Sequence, residues 1–269
     1  MRRGREGGGS SGSVVPMDDH ELLDVLADAA TAVTGALADL GDWGPAGTRA
    51  GQYRSDLVAD EAAIAVLDAA GLGVLSEESG LHGGDRDVVV VLDPLDGSTN
   101  AARGIPWFAT SLAAVDADGV RASLVVNQAS GIRFDAVRGR GARRDGAPLS
   151  PSGCRNLGEA IVGFSGYPPR YFGWNQFRSL GAAALDLCAV AEGVLDGYAV
   201  VGGSSLGSWD YLGGMLICTE AGAVVEDRAG RDLVTLAHAD RRTPIAAATR
   251  ELLVEFREAA DDNVVRPGA

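Results

Sequence analysis

Between residues 18 and 72 the apolar positions return at helical spacing. Leu22, Leu23, Leu26, Ala30 and Val33 follow Asp18 in this way, and aspartate is a preferred N-cap, so a helix is predicted from Asp18 to about Asp39. After a glycine-rich loop a second helix is predicted over Asp56 to Ala70, ending at Gly71. The pattern then changes: GVLS is a short strand ending in Glu77 and Glu78, and Val88 to Leu92 is apolar throughout, as expected of a strand covered on both faces. From Phe108 to about Gly146 alternating segments separated by turn signals such as DADG and RDG predict an antiparallel meander. Mixed α/β patterning follows. It predicts strands at Ala160 to Phe164, Tyr198 to Val201 and near Pro244 to Ala248, and helices at Gly181 to Gly193, Trp209 to Ala221 and Arg250 to Ala260.

These elements are expected to make a single domain over residues 17–269 in two halves, 17–150 with the antiparallel sheet and 151–269 as a smaller α/β half. Residues 1–16, MRRGREGGGSSGSVVP, carry glycine and serine where a signal peptide needs an apolar stretch, and are expected to be a disordered tail.

Composition narrows the function. With 46% apolar residues in 269 the chain can bury a substantial core. All 23 basic residues are arginine against 37 acidic ones, a formal net charge of -14. That balance predicts no nucleic-acid partner, because backbone recognition needs a basic face, and an anionic ligand would need a local cation. No window approaches the roughly 20 apolar residues of a membrane span. Cys154, Cys188 and Cys218 are widely spaced without a CxxC pair, the usage of a reduced, cytoplasmic protein.

Acidic residues stand at the ends of predicted elements: Glu77 and Glu78 after one strand, Asp93 and Asp96 after the next, Asp210 opening a helix, and Asp60 on an early helix. Taken singly, a DxxD pair in a proline turn is also an Asx-turn pattern, and Asp210 is also a helix cap. Clustered carboxylates repel unless a cation neutralises them. Oxygen ligands without histidine or cysteine point to Mg²⁺ or Mn²⁺ rather than zinc. Around a proline turn both aspartates can face one side, and Gly97 to Asn100 is expected to open a short helix whose N–H groups face a phosphate.

The segment Asp93-Pro94-Leu95-Asp96-Gly97-Ser98-Thr99-Asn100 resembles the DP(I/L)DGTxN signature of the inositol monophosphatase family. Ser76 to Ser79 resembles the family's GEES segment. Arg178 to Leu185, with Val190 to Gly193 and Asp196-Gly197, resembles its RSxGSAAL block. Trp209-Asp210 with Glu220 to Gly222 resembles its WD and EAGG block. The resemblance implies a layered α-β-α-β-α sandwich, as in fructose-1,6-bisphosphatase, and Mg²⁺-dependent, Li⁺-sensitive hydrolysis of a small phosphorylated metabolite by a homodimer. Carried over by position, Glu77, Asp93, Asp96, Asp210 and the carbonyl of Leu95 are expected metal ligands. Asp60, Ser98, Glu77 and Asp93 are expected in catalysis, with Ser98 at the position of the family's water-activating threonine. Gly97, Ser98, Thr99, Gly181, Ala182 and Asp210 are expected at the substrate.

Three departures bear on the chemistry. The family's DLVTxxD segment is here Asp56-Leu57-Val58-Ala59-Asp60, two residues short. The family's upstream lysine has no equivalent, with Arg49 or Arg54 as candidate substitutes. Gly202 to Gly207 holds no carboxylate where inositol phosphatases carry a glutamate for ring hydroxyls. The substrate stays open among inositol phosphate, histidinol phosphate, sugar phosphates and 3′-phosphonucleotides, and a non-catalytic pseudo-phosphatase is a further alternative. Gly203 to Gly207 also reads as G-x-S-x-G, a nucleophile elbow that would need Ser205, Asp227 and His238 together.

Overall fold

Alternate residues of the central strands enter different cores, and this explains their unbroken apolar runs. The computed structural model describes residues 17–48 and 51–261; residues 1–16 lie outside the described residues. Helices α1 (Asp19–Ala38) and α2 (Arg54–Ala69) are followed by strands β1 (Gly73–Ser76), β2 (Gly80–His82) and β3 (Val89–Asp96), and by the short helix α3 (Ser98–Arg103). Strands β4 (Ala109–Asp116), β5 (Gly119–Asn127), β6 (Arg133–Val137), β7 (Ala142–Arg144) and β8 (Ala147–Pro148) continue the first sheet. Then come β9 (Ile161–Ser165), β10 (Gln176–Arg178), α4 (Ala183–Ala191), β11 (Gly197–Val200), α5 (Ser208–Ala221), β12 (Val224–Asp227), β13 (Pro244–Ala247) and α6 (Arg250–Asp261).

The first sheet has the order β2-β1-β3-β4-β5-β6-β7-β8 and the second β10-β9-β11-β13-β12. Val90 and Leu92 of β3 join α1 and α2 in one core, while Val89 and Val91 face α4 and α5 in another. In β11, Tyr198 and Val200 share that middle core, and Ala199 packs outward with Phe256 of α6. The layers are therefore helix, sheet, helix, sheet, helix, the sandwich the resemblance implied. Burying both faces of β3 is worth on the order of 2 kcal/mol per fully buried Val or Leu.

The predicted elements are present with small shifts, and the edge pieces β2, β8, β10 and β12 are additional. His82 closes β2. Helix α2 begins at Arg54, two residues earlier than the apolar spacing implies. The Tyr53 N–H donates to Asp56 Oδ2 at 2.8 Å, a local cap that periodicity does not register. In the Arg138 to Arg144 hairpin Arg138 pairs with Asp116 at 2.9 Å and Arg144 with Glu192 at 2.5 Å.

Two features set the geometry of the acidic end. Strands β1 and β3 run parallel with Ser76 opposite Leu92, and the Glu77 N–H extends the ladder to the Leu92 carbonyl at 3.1 Å. Their tips therefore finish side by side. Helix α5 lies tightly between the first sheet and α4: a Cβ on Gly213 would come within 2.6 Å of Ser111 Oγ, and one on Gly214 within 2.6 Å of Leu187 Cβ. This close approach carries the start of α5 to the same tips.

Candidate metal centre

Strand β3 ends in a turn held by its own side chains. The Leu95 N–H donates to Asp93 Oδ1 at 3.0 Å and the Thr110 hydroxyl to the Pro94 carbonyl at 2.9 Å. Gly97 follows at φ +87°, where a Cβ would meet the Trp107 carbonyl at 3.0 Å and Ala182 Cβ at 3.1 Å, so only glycine fits. Asn100 fastens the turn to the α4 loop, its Nδ2 donating to the carbonyls of Trp107 and Leu180 at 2.8 and 2.7 Å.

The turn brings Asp93 against Glu77 and Asp210, and one carboxylate oxygen from each lies within 4.8 Å of the other two. Asp93 is 1% exposed and its Oδ2 has no hydrogen-bond partner among the described residues. Asp210 is fixed by the Gly207 N–H, which donates to its Oδ2 at 2.7 Å. Asp96 takes a different attitude, with Oδ2 accepting from the Ala184 N–H at 2.7 Å. It stands outside the group of three but close enough to act on both Asp93 and Asp210.

A cavity of about 350 Å³ opens over this group, lined by Glu77, Asp93, Leu95 and Ser98 together with Gly51, Asp56, Glu78, Trp209, His238 and Arg241. Several expected residues are elsewhere. Asp60 is 6% exposed and accepts a hydrogen bond from the Ser76 hydroxyl behind the β1 tip. It is Asp56, one helical turn earlier, that lines the cavity. The expectation followed the letters DLV, whereas the hydrogen bond from the Ser76 hydroxyl ties Asp60 to the end of β1. Thr99 is exposed, with Oγ1 3.3 Å from the Tyr53 hydroxyl. Gly181 and Ala182 pack against the Gly97 turn without lining the cavity.

Among the candidate lysine substitutes, Arg54 is paired with Asp42 away from the cavity, and Arg49 lies outside the described residues. Tyr167, Pro169 and Phe172 of the aromatic loop Tyr167 to Trp174 line a separate cavity of about 850 Å³ with Gly202, Gly203, Arg228 and Thr243. The nucleophile-elbow triad does not assemble. Asp227 accepts from Arg231 and Thr243, and His238 Nε2 lies 3.2 Å from the Glu77 carbonyl, its ring packed at a 35° tilt against Trp209. Glu78 and Trp209 stand inside matched motifs without a role of their own, and nothing in the spacing places residues 238 and 241 at the site.

Burial pushes the Asp93 carboxyl well above its ordinary range, and the charges of Glu77, Asp96 and Asp210 push it further. Asp96 is raised chiefly by burial, against the Ala184 N–H, with Asp186 and Glu77 adding to the rise. Asp210 is raised to about 7 by burial and by Asp96, partly opposed by the Gly207 N–H and by Arg241. An orphaned buried oxygen beside converging hard ligands fits a divalent cation such as Mg²⁺. The repulsion also has a measurable consequence. A carboxyl whose folded pKa is raised holds its proton in the native state while the unfolded chain releases it, so stability is full below about 4 and is lost as pH rises through about 7. Metal-free protein is expected to melt at a lower temperature at about pH 8 than at about pH 5, and the rise on adding Mg²⁺ should grow with pH. A metal-free melting temperature that climbs over this range, or a Mg²⁺ shift independent of pH, would contradict the electrostatic account.

The model of the inositol monophosphatase family matches residues 53–263. A protein named Nus factor SuhB from Pasteurella multocida is 36% identical over 194 residues, 66% of this chain and 69% of that protein. The match to the Escherichia coli K12 protein of the same name, 38% identical, covers 58% of this chain and 63% of that one. A fructose-1,6-bisphosphatase/inositol-1-monophosphatase from Archaeoglobus fulgidus is 32% identical, covering 81% of this chain and 88% of its own. Among solved structures, the extragenic suppressor protein SuhB of Bartonella henselae superposes with a TM-score of 0.77 at 27% identity over 90% of this chain and 99% of that chain. Among the described residues no helix is long and apolar enough to cross a membrane.

Proposed function

Because this chain belongs to the inositol monophosphatase family, we propose that it hydrolyses a small phosphorylated metabolite with Mg²⁺, or Mn²⁺ in its place, held by Glu77, Asp93 and Asp210. The observation that carries this reading is the convergence of those three carboxylates within 4.8 Å around the unpartnered Oδ2 of Asp93. Asp96 and the Leu95 carbonyl complete the ligand set in this reading. When bound, the cation supplies Lewis-acid polarisation of the phosphoryl oxygens and a lowered pKa for the attacking water.

The protein's own residues do the rest. Asp56 accepts the proton of the water, and Ser98, on the same cavity wall, orients it through its hydroxyl. The Gly97 turn and Thr99 sit beside the phosphoryl group, with Gly181 and Ala182 supporting that turn from behind. Asp60 acts only through Ser76. Because Gly202 to Gly207 supplies no carboxylate for ring hydroxyls, the leaving group extends beyond inositol to sugars, histidinol and 3′-nucleotides. In this reading residues 17–269 act as one domain, the enzyme is a cytoplasmic homodimer, and nucleic acid is not a substrate.

The test is a phosphate-release screen over inositol 1-phosphate, histidinol phosphate, sugar phosphates and 3′-nucleotide monophosphates. Release should require Mg²⁺, vanish with EDTA and fall with Li⁺. Turnover undiminished by EDTA would rule out the metal reading. A second reading, a binding role without hydrolysis, draws on the SuhB relatives named as Nus factors. It would be favoured by a metal-loaded protein that releases phosphate from none of these substrates.

A further inference from the structure

Strand β3 is bulged where its ladder with β4 reaches the acidic tip. Asp93 pairs with Ser111 and Asp96 with Ala109, so Pro94 and Leu95 together stand opposite the single residue Thr110. A bulge takes backbone groups out of the ladder and re-aims side chains. Here side chains satisfy those groups instead. The Pro94–Leu95 peptide donates its N–H to Asp93 Oδ1 at 3.0 Å and accepts the Thr110 hydroxyl at its carbonyl at 2.9 Å. One peptide plane is thereby held at both edges, with an expected metal ligand at one of them.

Thr110 is held in turn. It is fully buried, and its Oγ1 accepts from Gln128 Nε2 at 2.9 Å, while Gln128 Oε1 accepts from the hydroxyl of Thr34 on α1 at 2.7 Å. Gln128 stands just past β5, where its backbone N–H donates to the Phe108 carbonyl at 3.0 Å. Every donor in this series points the same way, from Thr34 through Gln128 and Thr110 to the Pro94 carbonyl and, across the peptide, to Asp93. Hydrogen bonds aligned in this way polarise and strengthen one another. The core on this side of the sheet is otherwise apolar, with Leu92, Leu95 and Ala114 among its members. A buried hydroxyl is costly there unless it is bonded, so packing alone does not account for it.

We infer that Thr110, backed by Gln128 and Thr34, is a positioning residue for the metal centre. It fixes the Pro94–Leu95 peptide, whose N–H holds Asp93 Oδ1 and leaves to the cation the Oδ2 that has no hydrogen-bond partner among the described residues. Partners that orient a ligand in this way set metal affinity. This deepens the proposed function above and rests on its metal site.

The experiment measures Mg²⁺ binding by calorimetry and thermal unfolding on the full chain in the wild type, Thr110→Val, Thr110→Ser and Gln128→Met. Ile245→Val, which thins the outer core far from the turn, serves as the control for lost stability alone. Thr110→Val should weaken Mg²⁺ binding about tenfold, the lower end of the range for outer partners of a metal ligand. Gln128→Met should shift it in the same direction, and Thr110→Ser, which keeps the hydroxyl, should bind as the wild type does. Ile245→Val should melt earlier and bind Mg²⁺ unchanged. Wild-type affinity in Thr110→Val would overturn the inference, as would equal weakening in Thr110→Val and Thr110→Ser, or in Thr110→Val and Ile245→Val. Should Thr110→Val not fold, Gln128→Met decides by the same comparison with the control. A wild type that binds Mg²⁺ but releases no phosphate defeats the hydrolytic reading alone, since the affinities still decide the role of Thr110. One that binds no Mg²⁺ defeats both.

Discussion

Asp93→Asn is expected to lower Mg²⁺-dependent phosphate release roughly a thousandfold or more, the loss of about 4 kcal/mol of transition-state charge stabilisation. The same change should raise the melting temperature of the metal-free protein. Both effects come from one oxygen. Asp93 Oδ2 is buried without a hydrogen-bond partner between Glu77 and Asp210, so its charge is costly without a cation and indispensable with one. Asparagine keeps an Oδ1 for the Leu95 N–H, now at 3.0 Å, and so preserves the turn while removing one like charge. Opposite signs for metal-free stability and activity are the signature. A variant that loses both would instead point to collapse of the β3 tip.

Asp56→Asn should reduce kcat about a hundredfold with little change in KM, the usual range for removing a general base, whereas Asp60→Asn should leave kcat within about threefold and cost about 1 kcal/mol of stability. Asp56 lines the cavity and Asp60 bonds Ser76 behind it. Asparagine at 56 can still accept from the Tyr53 N–H, so the start of α2 is kept. Steady-state kinetics on both variants, with thermal unfolding in parallel, settle the assignment. A large kcat loss in Asp60→Asn with Asp56→Asn near wild type would reverse it and restore the alignment by the DLV letters.

The placement of Asp56 rather than Asp60 at the cavity marks how far local pattern reaches. The α1 helix was legible to its cap, because Asp18 and Glu21 form a capping box within one turn. The unbroken run Val88 to Leu92 announced a strand covered on both faces, and the turn at Asp93 to Gly97 announced its own end. Each rests on interactions between residues a few positions apart, which spacing alone records. The resemblance supplied the layer order, and the two cores on either side of β3 account for it.

Assembly of the centre was decided elsewhere. Glu77 meets Asp93 only because β1 and β3 pair in parallel with Ser76 opposite Leu92. Asp210 arrives because Gly213 and Gly214 let α5 lie close to the sheet and to α4. Arg241 and His238 come from a loop whose spacing carries no periodic signal, and Trp209 is what holds them there. The sequence by itself determined the main elements, the cap of α1 and the acidic tip of β3, through sterics and periodicity along the chain. Which carboxylates converge, which one of Asp56 and Asp60 faces the cavity, and how Arg241 reaches it were fixed only by packing between distant elements, since a register or a close approach is a property of two surfaces rather than of one segment.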